Sequence, residues 1–307
     1  MKKLLLAVAV SVAAGSASAA TIYEGNGFTY KLNGDLQVQL RQDVGNDQNA
    51  EIEFDDLELK NYVSYDLGND MKAFGRVDFG FKDAAEDKQD GSKLEEAYVG
   101  MAFGNTSVSF GKQNFASDEF GVEKAYELVS DEDRFDAMGT SGDDTIRVDV
   151  EMDSATFIAS YEMDAEGEAS ENGEYFDVFA SFDIAALNIG AAYQNATPSI
   201  GADDIDTWGL SAEFDAGFAE FAADWSSTDD IADQYNLAAA FKAGQTTKIA
   251  VGVVNTDPES GDDVTEWYAN VTYKFATQKN VSLFAEIADT DEDDSDMGYL
   301  AGMRVKF

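Results

Sequence analysis

The sequence predicts an all-β fold, a 16-stranded antiparallel transmembrane β-barrel. Three observations predict it. Apolar and polar residues alternate along almost the whole chain, short turns alternate with long acidic connections, and aromatic residues mark both ends of the apolar faces.

Composition narrows the chemistry before any element is placed. The 307 residues include 61 Asp and Glu against 20 Lys and Arg, a formal net charge of -41, with no His and no Cys. Without those two residue types there is no Ser-His-Asp or Cys-His nucleophile, no zinc site of the usual nitrogen and sulfur kind, no His-ligated haem and no disulfide framework. Neither an enzymatic activity nor a cofactor is expected. A sequence pI near 4.1 repels phosphate backbones and no local basic patch relieves it, so nucleic acid is not an expected partner. Hydrophobic residues at 44% and aromatics at 12% are too many for a disordered acidic chain.

Residues 1–19 read as a signal peptide. Lys2 and Lys3 supply the positive start, residues 4–14 the apolar run, and Ala17-Ser18-Ala19 the small-x-small cleavage pattern, so the mature chain is expected to begin at Ala20. That apolar run is shorter than the ~18 residues a spanning helix needs, and no later run is longer. Residues 20–307 are expected to form the barrel.

The first strand is plain in the residues. Phe28, Tyr30, Leu32, Gly34, Leu36, Val38 and Leu40 make one face, and Thr29, Lys31, Asn33, Asp35, Gln37, Gln39 and Arg41 the other. The same period of two recurs at 63–67, 77–81, 97–103, weakly at 108–110, and then at 146–152, 157–163, 176–182, 187–193, 208–214, 219–225, 235–241, 249–253, 267–275, 281–287 and 299–307. A helical period is present only around 117–128. Gly68-Asn69-Asp70, Gly104-Asn105, Asp153-Ser154, Asp215-Ala216-Gly217 and Ala243-Gly244-Gln245 are tight turns, whereas 83–92, 114–143, 165–173, 195–206, 226–233, 255–265 and 289–297 are long and acidic. Sixteen units of roughly 18 residues leave ~7 to 9 for each connection once strands take ~9 to 11, so the barrel arithmetic closes.

A soluble sandwich also alternates, and the aromatics separate the two. With each register set by its apolar residues alone, nearly every strand charge falls on the polar face, Lys112 excepted. Phe103, Phe182, Phe214, Phe241, Phe275 and Phe307 then sit on the apolar face at the short-turn end. Trp208, Trp225, Trp267 and Tyr235 sit on it at the long-loop end. Two aromatic rings bounding an apolar band are the interfacial girdles of a membrane barrel.

The residues also carry a resemblance. Glu96-Ala97-Tyr98-Val99-Gly100-Met101, with Phe103-Gly104 and then Val108-Ser109-Phe110-Gly111-Lys112-Gln113, resembles the central motif of Gram-negative general porins. Leu67-Gly68-Asn69-Asp70-Met71-Lys72-Ala73 is similar to their first periplasmic turn. The closing strand from Tyr299 to the C-terminal Phe307 resembles the signal read by the barrel-assembly machinery. Within the family the pattern is most similar to porins of marine gamma-proteobacteria. It implies a homotrimer in the outer membrane, in contact with lipid and lipopolysaccharide and delivered by periplasmic chaperones. Each barrel would be a water-filled channel for ions and small hydrophilic solutes.

The resemblance further implies that the third loop, 114–143, folds inside and narrows the pore, with carboxylates facing basic wall residues. Asp118, Glu119 and Glu123 match the acidic loop segment, and Lys112, Arg134 and Arg147 are the basic candidates. Asp56, ahead of Leu57-Glu58-Leu59-Lys60, stands where the family commonly has Arg, which weakens the basic side and leaves Lys60 beside it. The loop also lacks the Pro-Glu-Phe-Gly-Gly run, having Ser117-Asp118-Glu119-Phe120-Gly121-Val122. The surplus of acid predicts preference for cations. An alternative is a barrel that anchors acidic adhesin or receptor loops. The acidic run 289–296 begins like a calcium loop, but Asp294 replaces the required Gly and Leu300 the bidentate Glu, so an EF-hand is rejected.

Overall fold

Period-two alternation builds strands, and the strands close on themselves. The computed structural model describes residues 20–85, 92–129, 133–164, 173–199 and 202–307. The proposed signal peptide lies outside the described residues, as do parts of four acidic connections. In chain order the strands are β1 (Ala20–Gly25), β2 (Phe28–Gln42), β3 (Glu51–Gly68), β4 (Met71–Gly80), β5 (Lys93–Phe103), β6 (Thr106–Asn114), β7 (Ser141–Met152), β8 (Ala155–Glu162) and β9 (Glu174–Ile184). They continue as β10 (Leu187–Thr197), β11 (Ile205–Asp215), β12 (Ala219–Thr228), β13 (Ala232–Ala243), β14 (Thr247–Pro258), β15 (Val264–Phe275), β16 (Gln278–Thr290) and β17 (Gly298–Lys306).

Each strand from β2 to β17 pairs antiparallel with its chain neighbours, and β17 pairs back onto β2, so sixteen strands close a barrel. Short β1, which lies ahead of the first alternating segment, pairs with the start of β2, Ala20 opposite Leu32. The C-terminal residue continues the same edge of β2. The Gly34 N–H donates to the Phe307 carbonyl at 2.8 Å and the Phe307 N–H to that of Gly34 at 2.9 Å. The first and last residues of the sheet therefore lie end to end along one strand. Closure leaves no free edge, which a lipid environment demands because unpaired backbone groups find no water there.

Burial is inverted relative to a soluble protein. Val99 and Leu210 are 64% and 57% exposed, while Asp177 and Gln194 are 0% exposed. The apolar faces read from the sequence are the outward ones, and the polar faces line the interior. The aromatic girdles fall as expected. Trp208 lies against Tyr193 with ring centroids 4.2 Å apart, and Trp225 stands opposite Tyr235 at the long-loop end. Phe182 meets Phe157 edge-on at 5.5 Å at the other end. Tight turns use the expected residues, Asn69 and Asp70 both taking positive φ between β3 and β4.

The segment with the helical period behaves differently from its sequence pattern. Only Ala116–Glu119 forms a 3-10 turn. A first short helix, α1 (Lys82–Ala85), lies in the preceding loop, and the α-helix of the third loop is α2 (Arg134–Met138). The apolar residues of 117–128 face the barrel wall instead of one side of a helix.

Candidate functional site

The third loop enters the barrel and follows its inner wall for more than half a turn. At its root the Ala116 N–H donates to Ser160 Oγ, and Gln194 Nε2 donates to Ser117 Oγ, the Gly139 carbonyl and Asp177. Further along, the Val122 N–H donates to Asp224 on β12 and the Lys124 N–H to the Tyr268 hydroxyl on β15. Glu286 on β16 then accepts the backbone N–H groups of Tyr126, Glu127 and Leu128 at 2.7, 3.1 and 3.1 Å. At the far end Arg41 on β2 donates to the Glu127 carbonyl at 2.9 Å and lies 3.6 Å from its carboxylate. A loop inside a barrel cannot leave its backbone polar groups bare, and buried side chains of the wall satisfy them.

Apolar contacts complete the docking. Phe120 and Phe135 stack edge-on at 5.0 Å over Gly209, where a Cβ would overlap both rings, and Ala192 completes the cluster. Val122 packs on Ala222 and Ala238. Leu128 joins Val254, Tyr268, Phe284, Ala288 and Leu300, all inward-facing residues of β14 to β17. Val254, Tyr268, Phe284 and Leu300 are large apolar side chains on an otherwise polar face. They are the signal, missed in the sequence reading, that shows where the loop lies. Glu286, Asp224 and Tyr268 were missed as loop acceptors, since nothing in one strand marks an inward polar group for that role.

The predicted site residues separate into groups. Glu119 pairs with Arg147 at 2.7 Å, and Arg147 also pairs with Asp149 at 2.9 Å and donates to the Asn114 and Phe115 carbonyls. Asp118 is exposed to the lumen and accepts from Asn114 Nδ2 at 2.6 Å. A quarter turn round the wall, on β3, Asp56 pairs with Arg304, and Lys60 with Glu58. Three residues are placed otherwise than expected. Glu123 has both carboxylate oxygens shielded from solvent, because Val122 and Lys124 on either side are drawn onto the wall. Arg134 is buried at the start of α2, its N–H donating to Ser226 Oγ, so its charge is not presented to open lumen. Lys112 pairs opposite outward-facing Ala97, continuing the outward alternation of Val108 and Phe110; beside it the β7 side of the ladder carries a β-bulge, and Gly111 takes a φ of +124° that only glycine adopts readily. Among the described residues Lys112 makes no ion pair.

Charge in the lumen is arranged in clusters, several with carboxylates in excess. Arg76 meets Asp78 at 2.5 Å and Glu96 at 2.7 Å, and Arg304 meets Asp35 and Asp56. Lys124 of the loop meets Glu213 at 2.5 Å and Glu220 at 3.1 Å. Burial works to lower the Lys124 ammonium, and the two carboxylates overcome it and raise its pKa. Asp133, the N-cap of α2, accepts from the Phe135 and Asp136 N–H groups; burial, aided by Asp136, holds its carboxyl well above the usual range. Burial and then the Asp55 carboxylate push Glu127 up to about 7.

A closed 16-stranded barrel with an apolar exterior, a charged lumen and an internal loop defines the class of outer-membrane barrels that enclose aqueous space. The chain belongs to the Gram-negative porin family, whose model matches residues 6–295. It is 30% identical to Porin-like protein H of Photobacterium profundum over the full length of both chains, a marine relative in keeping with the resemblance. It is 26% identical to the outer membrane porin protein OmpD of Citrobacter koseri, over 74% of this chain and 71% of that one. Among solved structures, OmpT of Vibrio cholerae superposes with a TM-score of 0.79 at 18% identity, covering 93% of this chain and 99% of its own. An anion-selective porin from Comamonas acidovorans superposes at 0.75 with 14% identity, over 91% and 100% of the two chains. The protein is thus an outer-membrane porin.

Proposed function

We propose that the barrel is a passive, water-filled channel for ions and small hydrophilic solutes, that it prefers cations, and that it works as a homotrimer. It carries out no catalysis and holds no cofactor. The observation that carries the reading is the charge ratio in the lumen. Arg41, Arg76 and Arg147 each face at least two carboxylates and form net-negative clusters, while Lys306 beside Asp35 balances the Arg304 cluster and Lys248 near Glu220 balances that of Lys124, so the clusters together carry an excess of acid. In a narrow low-dielectric wall such clusters concentrate cations and exclude anions. What supports the trimer is a barrel of the same fold, OmpT of Vibrio cholerae, that is described in a trimer form. Lipopolysaccharide around the rim and the assembly machinery acting on the C-terminal strand are its proposed partners, and residues 1–19 its export signal.

The test is the zero-current potential of the purified protein in a planar bilayer under a KCl gradient. Wild type is expected to give a cation-directed potential that shrinks but survives at high salt, because mouth charges are screened beyond ~8 to 10 Å while the constriction is not. Neutralising Asp118, Glu119 and Glu123 together to Asn, Gln and Gln is expected to reduce the surviving part. Since Glu123 is turned from solvent, Asp118→Asn with Glu119→Gln should account for most of it. An anion-directed potential overturns the selectivity. Absence of conductance overturns the channel and favours an anchor for surface loops.

A further inference from the structure

Half a turn round a ring of sixteen strands is eight strands, so the wall of β3 to β5 faces β11 to β13, where the loop is docked by Phe120, Val122 and Phe135. On that facing wall, Tyr62, Arg76 and Tyr98 are direct cross-strand partners at one level, and the neighbouring outward residues Val63, Val77 and Val99 show that all three point inward. One level nearer the periplasmic turns, Phe74 lies between the two tyrosines, with ring centroids 6.4 Å from each. It is 6% exposed and its ring occupies the space a Cβ of Gly100 would need, so it forms a floor under the tyrosines. One level nearer the loops stand Lys60, Asp78 and Glu96, again direct partners. The Lys31 ammonium, 6.0 Å from the Tyr62 ring, extends the row onto β2.

We propose that this aromatic row is a binding site for neutral pyranose sugars in transit, taking a disaccharide or longer. The inference rests on the channel reading. The two partly exposed tyrosine rings inside a lumen are costly to wet, and the C–H face of a sugar ring covers such a ring while its hydroxyls stay hydrogen-bonded. Tyr62 and Tyr98 are separated by one strand, which sets their backbones ~9.5 Å apart, a span that takes two linked rings with Arg76 between them. Around the rings, donors and acceptors alternate: Arg76 and Lys60 against Asp78 and Glu96. A hydroxyl donates and accepts, so it satisfies both kinds. The excess acid of the Arg76 cluster disfavours an anionic ligand, and the aromatic faces favour a neutral ring that brings its own hydroxyls.

The experiment is single-channel recording in a planar bilayer with maltotriose as probe and a polyethylene glycol of equal hydrodynamic size as control. Wild type is expected to show brief current blockades whose frequency rises with maltotriose and which the glycol does not produce. Replacing both tyrosines, Tyr62→Leu with Tyr98→Leu, should shorten blockades about tenfold, as expected for losing two ring contacts. Tyr62→Phe with Tyr98→Phe should keep most of the residence time. Conductance with maltotriose and glycol acting alike overturns the sugar site and leaves the channel standing. Equal residence times in wild type and the leucine pair also overturn it, and absence of conductance overturns the channel and the site together.

Discussion

Gly34 and Phe307 join the two ends of the barrel wall, and the join depends on one missing carbon atom. Phe307 lies on the lipid-facing side, 47% exposed, and its ring covers Gly34 so closely that a Cβ there would overlap it. Aromatic cover of a strand glycine shields backbone that would otherwise face lipid. Gly34→Ala is expected to cost ~1 to 3 kcal/mol, the usual penalty of forcing a side chain into a filled space, read from urea unfolding of the protein refolded into detergent micelles. Removing the ring as well, Gly34→Ala with Phe307→Ala, should destabilise by less than the sum of the two single changes, because the collision is gone. Strictly additive losses would show that the ring does not rest on Gly34. Phe307 deletion is further expected to lower the amount of barrel reaching the outer membrane, through the lost interfacial anchor and the proposed assembly signal that Tyr299 shares. Unchanged outer-membrane levels would count against both roles.

At the scale of elements, the third loop is held by acids that lie on other strands, and its far end is sensitive to pH. The Glu127 carboxyl, raised to about 7 in the docked loop by burial and by Asp55, binds its proton more tightly there than in an undocked chain. Docking is therefore strongest below the ordinary carboxylate range and weakens as pH rises through about 7. Hydrogen exchange at the Glu127 and Leu128 amides, corrected for intrinsic rate, should show protection falling between about pH 5 and about pH 8. Glu127→Gln, which mimics the protonated form, should flatten that dependence. A wild-type profile as flat as the variant's would refute the assignment. Sequence reading recovered the strands but not this docking, and the reason is physical. A strand's outward and inward faces are written in its own alternation, so 28–40 or 208–214 can be read alone. The docking of Tyr126 to Leu128 on Glu286 joins residues far apart in the chain, and the local sequence of the loop carries only a helical period that tertiary contacts override. Glu119 and Arg147, named as acidic and basic candidates on the strength of the resemblance, lie 2.7 Å apart. Lys112 keeps the outward parity of Val108 and Phe110 that its own alternation showed, and only the resemblance had set it among the pore residues.

For the whole molecule, stability and oligomeric state rest on different surfaces. Backbone pairing runs unbroken round the ring, so the barrel has no edge from which to fray, and opening it in lipid would strip several hydrogen bonds at once. The exterior, by contrast, offers only a smooth apolar band with aromatic rims, and contacts between copies bury apolar surface that lipid would cover equally well. The barrel should therefore outlast the assembly. In SDS without heating, the protein is expected to migrate as a trimer. On warming it should pass first to a compact, fast-migrating monomer and only then to the slower unfolded chain. Circular dichroism should show a β spectrum through the first step and lose it in the second. A helical spectrum would overturn the fold. A compact monomer in mild detergent at every temperature would leave the barrel intact and overturn the trimer, while simultaneous loss of trimer and β signal would show that the interface supports the closed sheet instead of merely decorating it.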